Sequence, residues 1–279
     1  MVNNLPIKKI VHQGLTIEGW SRAAVQTYWR IPELKLGFDL GAQPWDFMGT
    51  QQWYISHTHL DHIAALPVYV ARRRMMKMDP PTIYVPAVAV ENIERLLAVV
   101  SRLDRGRLPC NLVGVSAGQE IEHSRELVVT ACATKHTVPS LGYIVSERRK
   151  KLKPEYKDLT GDQIRDIRLS GQEVSIEQRF PRVAYLGDST IQGLDENPEM
   201  YDADILIMEI TFVAPGHRSH KIKKMGHIHL DDIVARQDRF RNQVIIGAHL
   251  SSRYHPKQVE HFVNKSLPDR LDGRLRLWV

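Results

Sequence analysis

Ser56-His57-Thr58-His59-Leu60-Asp61-His62 is the stretch of this sequence that decides its fold. Residues 52–55 before it are typical of the end of a buried strand, and residues 63–66 after it are typical of the start of an apolar helix. Three imidazoles and a carboxylate therefore occupy a predicted strand-to-helix junction. Zinc favours imidazole nitrogen and carboxylate oxygen as ligands, so the stretch predicts a metal site. The alternative interpretation is a polar turn in which Asp61 caps the helix.

The spacing within this stretch predicts two metal positions. His57 and His59 are two residues apart, so on a loop both can point at the same ion. Asp61 and His62 then turn toward a second ion. We therefore expect other parts of the chain to supply the ligands that complete each position.

Charge and cysteine content indicate the kind of partner and compartment. A net charge of +6 and a pI near 9.3 favour anionic partners, RNA or DNA first, although such an excess also occurs in proteins that bind neither. Cys110 and Cys132 form no disulfide framework, which favours a reducing compartment. The first nine residues lack an apolar signal core, and no apolar run approaches about 18 residues. We therefore expect a soluble, intracellular protein that does not enter a membrane.

Length and composition predict one folded unit. The chain has 279 residues, 43% of them hydrophobic, which is enough for one large α/β domain or two small ones. No linker, repeat or low-complexity segment interrupts it. We expect a single domain over residues 1–279, with a short, basic, arm-like insertion around residues 147–181.

Apolar strands along the chain end repeatedly at residues that can bind a metal. Four predicted strands stop at His57, His136, Asp188 and His249. Ligands collect where strands end and loops begin in open α/β folds. A scattered set of core histidines would not fall repeatedly at strand ends, so we expect these side chains to meet.

Together with the run from His57 to His62, these residues resemble the ligand set of the metallo-β-lactamase superfamily. Within that superfamily the chain is similar to ribonuclease Z (tRNase Z) in its short form. The stretches that carry this closer resemblance are residues 77–83, 111–114, 139–143 and 249–254. The resemblance implies an α/β fold of the metallo-β-lactamase type, an αββα sandwich of two mixed β-sheets flanked by helices. It also implies an endoribonuclease that removes the 3′ trailer from precursor tRNA.

The resemblance implies a role for each ligand and two Zn²⁺ ions per chain, with Mn²⁺ or another divalent ion as the alternative. The implied first site consists of His57, His59 and His136. The implied second site consists of Asp61, His62 and His249, with Asp188 bridging both ions. Two such ions clamp a phosphodiester and activate water, and Asp61 would also orient the attacking water.

Two further residues, a glutamate and a histidine, distinguish the ribonuclease Z family from other members of the superfamily. Glu209 and His227 match the glutamate and histidine that the family adds to the shared metal site. Breaking the P–O3′ bond leaves an alkoxide, so an imidazolium that protonates this alkoxide lowers the barrier. A carboxylate beside the imidazole favours the charged form of that imidazole. In the alternative interpretation, Glu209 is a supporting or surface residue and His227 caps a helix. His229 is a nearby competitor for the proton-donor role.

Basic residues are candidates for RNA contact. In longer family members an arm between the third histidine and the bridging aspartate grips the tRNA, and here that stretch is short. The candidates are Arg148, Arg149, Lys150, Lys151 and Lys153 in this stretch, and Lys221, Lys223 and Lys224 beside the predicted proton donor. Both groups can contact phosphate, and a solvated surface run is the alternative. The resemblance further implies a homodimer with precursor tRNA as its partner.

Three functions remain open at this point. The first is the zinc-dependent endoribonuclease. The second is a hydrolase of the same fold that acts on a small ester, a thioester or a cyclic nucleotide. The metal ligands alone fit the first and the second function equally. The third is a non-catalytic RNA-binding protein. The complete ligand set argues against the third, and Glu209 and His227 favour the first over the second.

Overall fold

Two seven-stranded β-sheets form the centre of the protein. The computed structural model describes residues 5–216, 222 and 224–279, so the candidate RNA contacts Lys221 and Lys223 lie outside the described residues. In the described part, no helix is long and apolar enough to cross a membrane.

The first sheet contains the strands of the amino-terminal half in sequence order. Its strands are β1 (Lys8–His12), β2 (Leu15–Arg22), β3 (Gln26–Ile31), β4 (Leu36–Leu40), β5 (Gln52–Tyr54), β6 (Thr82–Pro86) and β7 (Asn111–Val115). Strands β1 to β4 pair antiparallel, whereas β4 to β7 pair parallel. The sheet is therefore mixed.

The second sheet mirrors this arrangement. Its strands are β8 (Glu120–Glu122), β9 (Leu127–Ala133), β10 (Leu141–Leu152), β11 (Ser175–Tyr185), β12 (Ile205–Glu209), β13 (Val244–Ala248) and β14 (Leu275–Leu277). Strands β8 to β11 pair antiparallel, and β11 to β14 pair parallel.

Helices cover the outer face of each sheet. The described helices are α1 (Leu60–Ile63), α2 (Leu66–Met75), α3 (Val90–Asp104), α4 (Gly161–Leu169), α5 (Gln192–Asp195), α6 (Glu199–Asp202), α7 (Leu230–Val234) and α8 (Pro256–Ser266). Helices α2 and α3 pack apolar residues such as Tyr69 and Ile93 on the first sheet. Helices α7 and α8 pack residues such as Ile233 and Val259 on the second.

A third apolar layer lies between the two sheets. It contains buried residues of both sheets, and the rings of Phe38 (β4) and Tyr185 (β11) stack across it with centroids 4.7 Å apart. Burying apolar area on both faces of each sheet supplies the main favourable free energy of folding. The order helix, sheet, sheet, helix confirms the predicted αββα sandwich of two mixed sheets.

The predicted strand ends are confirmed, and the differences lie elsewhere. The stretch from Ser56 to His62 enters a helix at Leu60, three residues earlier than predicted, so Asp61 and His62 belong to α1. The insertion is more regular than its polar sequence indicates. Strand β10 continues to Leu152 and pairs with β11 from Ser175, and α4 lies between them. Cross-strand pairing supports these strands where apolar periodicity is weak.

Candidate active site

The predicted metal ligands converge at one edge of the sandwich. They form three groups, and within each group the ligand atoms all lie within 4.8 Å of one another. The groups are His57, His59 and His136; Asp61, His62 and His249; and His57, His62 and Asp188. They contain the residues that the resemblance implies for the two sites and the bridge, and these residues follow β5, β9, β11 and β13. Two further groups of the described residues include His227: one with His136 and Asp188, and one with Glu209 and His249.

Three imidazole nitrogens face one another in the first group. The Nδ1 atom of His59 lies 3.1 Å from Nε2 of His57 and 3.1 Å from Nε2 of His136. The Nδ1–H group of His136 donates to the carbonyl of Gly226 at 2.8 Å, which directs the lone pair of Nε2 inward. Burial lowers the pKa of all three imidazoles, and for His57 well below its usual range. Neutral imidazoles with converging lone pairs suit a cation.

The second group has a carboxylate at its centre. The Oδ2 atom of Asp61 lies 3.4 Å from Nε2 of His249 and 3.7 Å from Nε2 of His62. The backbone N–H of Ala24, in the β2–β3 turn, donates to the same oxygen at 2.9 Å. Burial raises the pKa of Asp61, but the His249 hydrogen bond and His62 lower it to about 2. The carboxylate is therefore ionised and held in place.

Asp188 lies between the two groups. Its Oδ2 atom is 3.3 Å from Nε2 of His249, 3.5 Å from Nε2 of His62 and 3.8 Å from Nε2 of His57. Burial favours the neutral acid, yet His249 and His62 hold the pKa of Asp188 well below its usual range. A buried, ionised carboxylate between two groups of imidazoles offers oxygen donors that suit a divalent cation.

The donor set therefore fits a divalent metal. Nitrogen and ionised carboxylate oxygen are the ligand types of zinc and similar ions. The alternative in which Asp61 caps a helix is wrong, because His59 occupies the N-cap position of α1 and no side chain caps that end.

Glu209 and His227 form a contact beside the metal ligands. The Nδ1 atom of His227 lies 2.9 Å from Oε1 and 3.1 Å from Oε2 of Glu209. The His227 ring lies 5.0 Å from the ring of His136 and 5.5 Å from that of His249, measured between centroids. Burial lowers the pKa of His227, but Glu209 outweighs this effect and raises it to about 9. The Glu209 carboxylate thus favours the charged form of the imidazole.

Glu209 accepts several hydrogen bonds in addition to its contact with His227. Its Oε1 atom accepts the backbone N–H of Ser189 at 2.9 Å, and its Oε2 atom accepts the N–H of Ile228 at 3.2 Å and the hydroxyl of Thr211. Both oxygens are thus occupied by donors as well as by His227. These contacts orient the imidazole, and Glu209 also forms a group with His227 and His249 whose ligand atoms lie within 4.8 Å of one another.

Comparison with known proteins gives the family. A model described as the β-lactamase superfamily domain matches residues 54–250. The tRNase Z TRZ1 of Arabidopsis thaliana is 38% identical over 265 residues, covering 94% of this chain and 94% of the relative. This chain belongs to the ribonuclease Z family. The chloroplastic tRNase Z TRZ2 of the same plant is 34% identical and covers 92% of this chain and 73% of its own.

A solved structure supports the same fold. The metallo-β-lactamase fold protein YhfI from Bacillus subtilis superimposes with a TM-score of 0.64. The superposition covers 92% of this chain and 93% of the YhfI chain, and the two sequences are 14% identical. The likeness covers nearly the whole chain, so it concerns the complete fold.

Asp39 lies at the site of this ribonuclease Z family member and is absent from the residues predicted from the sequence. It is fully buried, and its carboxylate accepts hydrogen bonds from the backbone and hydroxyl of Ser56 at 2.7 and 2.8 Å. Its Oδ2 atom also lies 2.7 Å from Nδ1 of His62. Its φ of +56° is rare outside glycine and is stabilised here by these contacts. The strand-end rule applied to β4 would have found it.

The basic run divides over two faces of the β10–β11 hairpin. Neighbouring residues of a strand point to opposite faces, so Arg149 and Lys151 share one face, and Arg148 and Lys150 share the other. Arg148 pairs with Glu122 at 2.9 Å. Arg149 stacks over the exposed ring of Phe180 at 5.1 Å and pairs with Glu147. Lys153 follows β10.

A cavity of about 1160 Å³ opens over the ligands. Asp61, Asp188, His227 and His249 lie at its base. Its walls include Ala23, Leu60, Phe212, Lys224, Met225 and Arg253. The predicted RNA contact Lys224 is therefore part of the site cavity. His229 lies apart from the chemistry: its Nδ1 atom accepts the N–H of Asp231 at 3.1 Å and caps α7.

Proposed function

We propose that this chain is a metal-dependent endoribonuclease that removes the 3′ trailer from precursor tRNA. The observation that carries this proposal is the Glu209–His227 pair beside the ligand groups, because a proton donor there is useful when the leaving group is a poor one. The names of the tRNase Z relatives support the same substrate.

Two zinc ions are the proposed cofactors. His57, His59 and His136 would hold one, Asp61, His62 and His249 would hold the other, and Asp188 would bridge them. When bound, such ions clamp the phosphate, make water acidic and stabilise developing negative charge. Asp61, fixed by the N–H of Ala24, orients the attacking water with its ionised carboxylate.

His227 is the proposed general acid. Its Nδ1–H is donated to Glu209, so Nε2–H is the group that transfers a proton to the departing ribose O3′. Glu209 keeps the imidazole charged and fixes the ring plane. The products are then a tRNA with a 3′-hydroxyl and a trailer with a 5′-phosphate.

The decisive experiment is cleavage of a 3′-extended precursor tRNA by zinc-loaded protein, with both new ends mapped. We expect one cut at the base of the trailer, a 3′-hydroxyl on the tRNA and loss of activity on chelation. A 2′,3′-cyclic phosphate would contradict the mechanism. Turnover of bis-p-nitrophenyl phosphate with an intact precursor would instead indicate a small-ester hydrolase.

The chain is also proposed to be a homodimer. Helix α3 exposes Leu96, Val99 and Leu103 at spacings of three and four residues, which places them on one side of the helix. This stripe is separate from Ile93 and Leu97, which face the core. Light scattering on the wild type and on Val99→Glu measures whether the stripe joins two copies, and an unchanged mass would exclude it.

RNA contact and compartment complete the proposal. Arg149 and Lys151, on the hairpin face that also carries Phe180, and Lys224 in the site cavity would contact phosphate. Arg148, Lys150 and Lys153 contribute positive charge nearby. The free thiols Cys110 and Cys132 suit an intracellular, reducing compartment.

A further inference from the structure

Two large apolar side chains face solvent at the mouth of the site cavity. Leu60 is 74% exposed although it stands between His59 and Asp61, and Met225 on another wall is 39% exposed. A single exposed leucine is ordinary on a protein surface. Two exposed apolar residues lining the cavity that holds the catalytic groups need an explanation.

The backbone around Leu60 fixes its outward direction. Leu60 is the first residue of α1, in which Ile63 enters the core, and Asp61 and His62 join the ligand group. Leucine gives no capping hydrogen bond at a helix start, where polar side chains are favoured. The side chain therefore adds little to the helix and leaves apolar area in water beside the reacting centre.

The charges around this apolar mouth fit a nucleotide. Lys224 and Arg253 line the same cavity, and both lie at the surface. Cationic groups attract phosphate, and apolar side chains pack on the faces of unpaired bases. A site for a small anionic ester would need the cations but not the apolar mouth.

We propose that Leu60, with Met225, packs against the unpaired nucleobase next to the scissile phosphate and holds the RNA strand for cleavage. This inference rests on the proposed ribonuclease function. Every base has an apolar face, so the contact positions the strand without reading its sequence. Leu60 is thus a positioning and specificity residue for single-stranded RNA at the cut.

The test compares two precursor tRNAs, one natural and one with abasic ribose at the two nucleotides that flank the cut. Leu60→Ala is expected to lower kcat/KM on the natural RNA about tenfold, the equivalent of ~1.4 kcal/mol for a side chain partly buried on binding. On the abasic RNA, Leu60→Ala and wild type should be equally slow. Leu60→Met should restore most of the loss.

Val68→Ala is the matched control, because Val68 is 46% exposed on α2 outside the cavity lining. If Leu60→Ala slows the abasic and natural RNA equally, or loses zinc, Leu60 acts through the metal site and the nucleobase contact is refuted. Equal rates for wild type and Leu60→Ala on natural RNA refute it as well. A wild type that leaves the precursor intact refutes the proposed function itself, and the proposed role of Leu60 falls with it.

Discussion

The Nδ1 atom of His62 lies 2.7 Å from Oδ2 of Asp39, and both side chains are fully buried. Asp39 also accepts hydrogen bonds from Ser56 and Tyr185. The carboxylate thus fixes a proton on Nδ1 of His62 and directs Nε2 toward Asp188 and the proposed metal position. Such supporting carboxylates orient metal ligands and raise their basicity.

Asp39→Asn should therefore weaken metal binding. Asparagine keeps only one acceptor oxygen, and its NH2 group cannot accept a hydrogen bond from Ser56 or His62. We therefore expect zinc affinity to fall roughly 10- to 100-fold. Activity should recover at saturating zinc. Titration with a competing chelator measures the change, and Tyr185→Phe, which removes one donor but keeps the carboxylate, is the milder control. Unchanged affinity in Asp39→Asn would exclude this role.

Asp188→Ala should lose metal and nearly all phosphodiester hydrolysis. The carboxylate is the shared neighbour of both ligand groups, and its removal leaves imidazoles facing one another. The sheets should still fold, because the apolar layers do not depend on it. Elemental analysis and circular dichroism check both points, with Asp202→Ala, an exposed carboxylate on α6, as the control. Undiminished zinc in Asp188→Ala would remove it from the site.

His227→Ala should slow reactions in proportion to how poor the leaving group is. General acid catalysis typically contributes ~10²–10⁴-fold, so precursor tRNA cleavage should fall by about that factor. A p-nitrophenolate leaves without protonation, so that ester should slow far less, and zinc content should not change. Glu209→Ala should give a milder version of the same pattern.

His229→Ala is the control for this experiment. Its ring caps α7, so the variant should keep its cleavage rate and lose about 1 kcal/mol of stability. Equal slowing of both substrates in His227→Ala, or a larger catalytic loss in His229→Ala, would show that the proton donor is assigned wrongly.

The two faces of the β10–β11 hairpin should differ in RNA binding. Replacing Arg149 and Lys151 with Gln should weaken tRNA binding and reduce the slope of log K against log salt by about one for each phosphate interaction that the substitutions remove. The pair on the other face, Arg148 and Lys150, is the matched control, because its replacement removes the same charge. Equal effects of both pairs would indicate general attraction instead of a defined interface.

His123 should make the protein less stable in mild acid. Its Nε2–H donates to the carbonyl of Leu34 at 2.7 Å, and its Nδ1 accepts from Tyr54 at 2.9 Å. Burial lowers the pKa of His123 below 6.5 in the folded state. Between that lowered pKa and 6.5 the unfolded chain binds more protons, so stability falls as the pH falls through this window.

The Tm measured between pH 7.5 and 5 should therefore decline more steeply for the wild type than for His123→Gln at equal metal content. The other histidines are common to both proteins, so the difference between the two curves isolates the half-buried His123. Parallel curves would mean that His123 takes up its proton in the folded state.

Much of the fold could be predicted because its signals are local. Strands β5, β9 and β13 end shortly before His57, His136 and His249, as the sequence predicts, because short apolar runs bounded by polar residues identify buried strands. The extension of β10 and β11 was not predicted. Most of its residues are polar and its few apolar residues, such as Ile176 and Phe180, are exposed, so pairing between the two strands supports it instead of burial.

The sequence by itself determined which ligand types are present and that each follows a strand, because these are properties of neighbouring residues. The proposed partition into two metal sites comes from the spacing within residues 57–62 and from the family resemblance. Only the tertiary structure decided the distances, such as the 3.4 Å between Asp61 and His249, which are 188 positions apart. It also decided that Asp39 supports His62 and that Leu60 faces the cavity. Those relationships depend on sheet register and layer packing, which bring together residues that no local pattern connects.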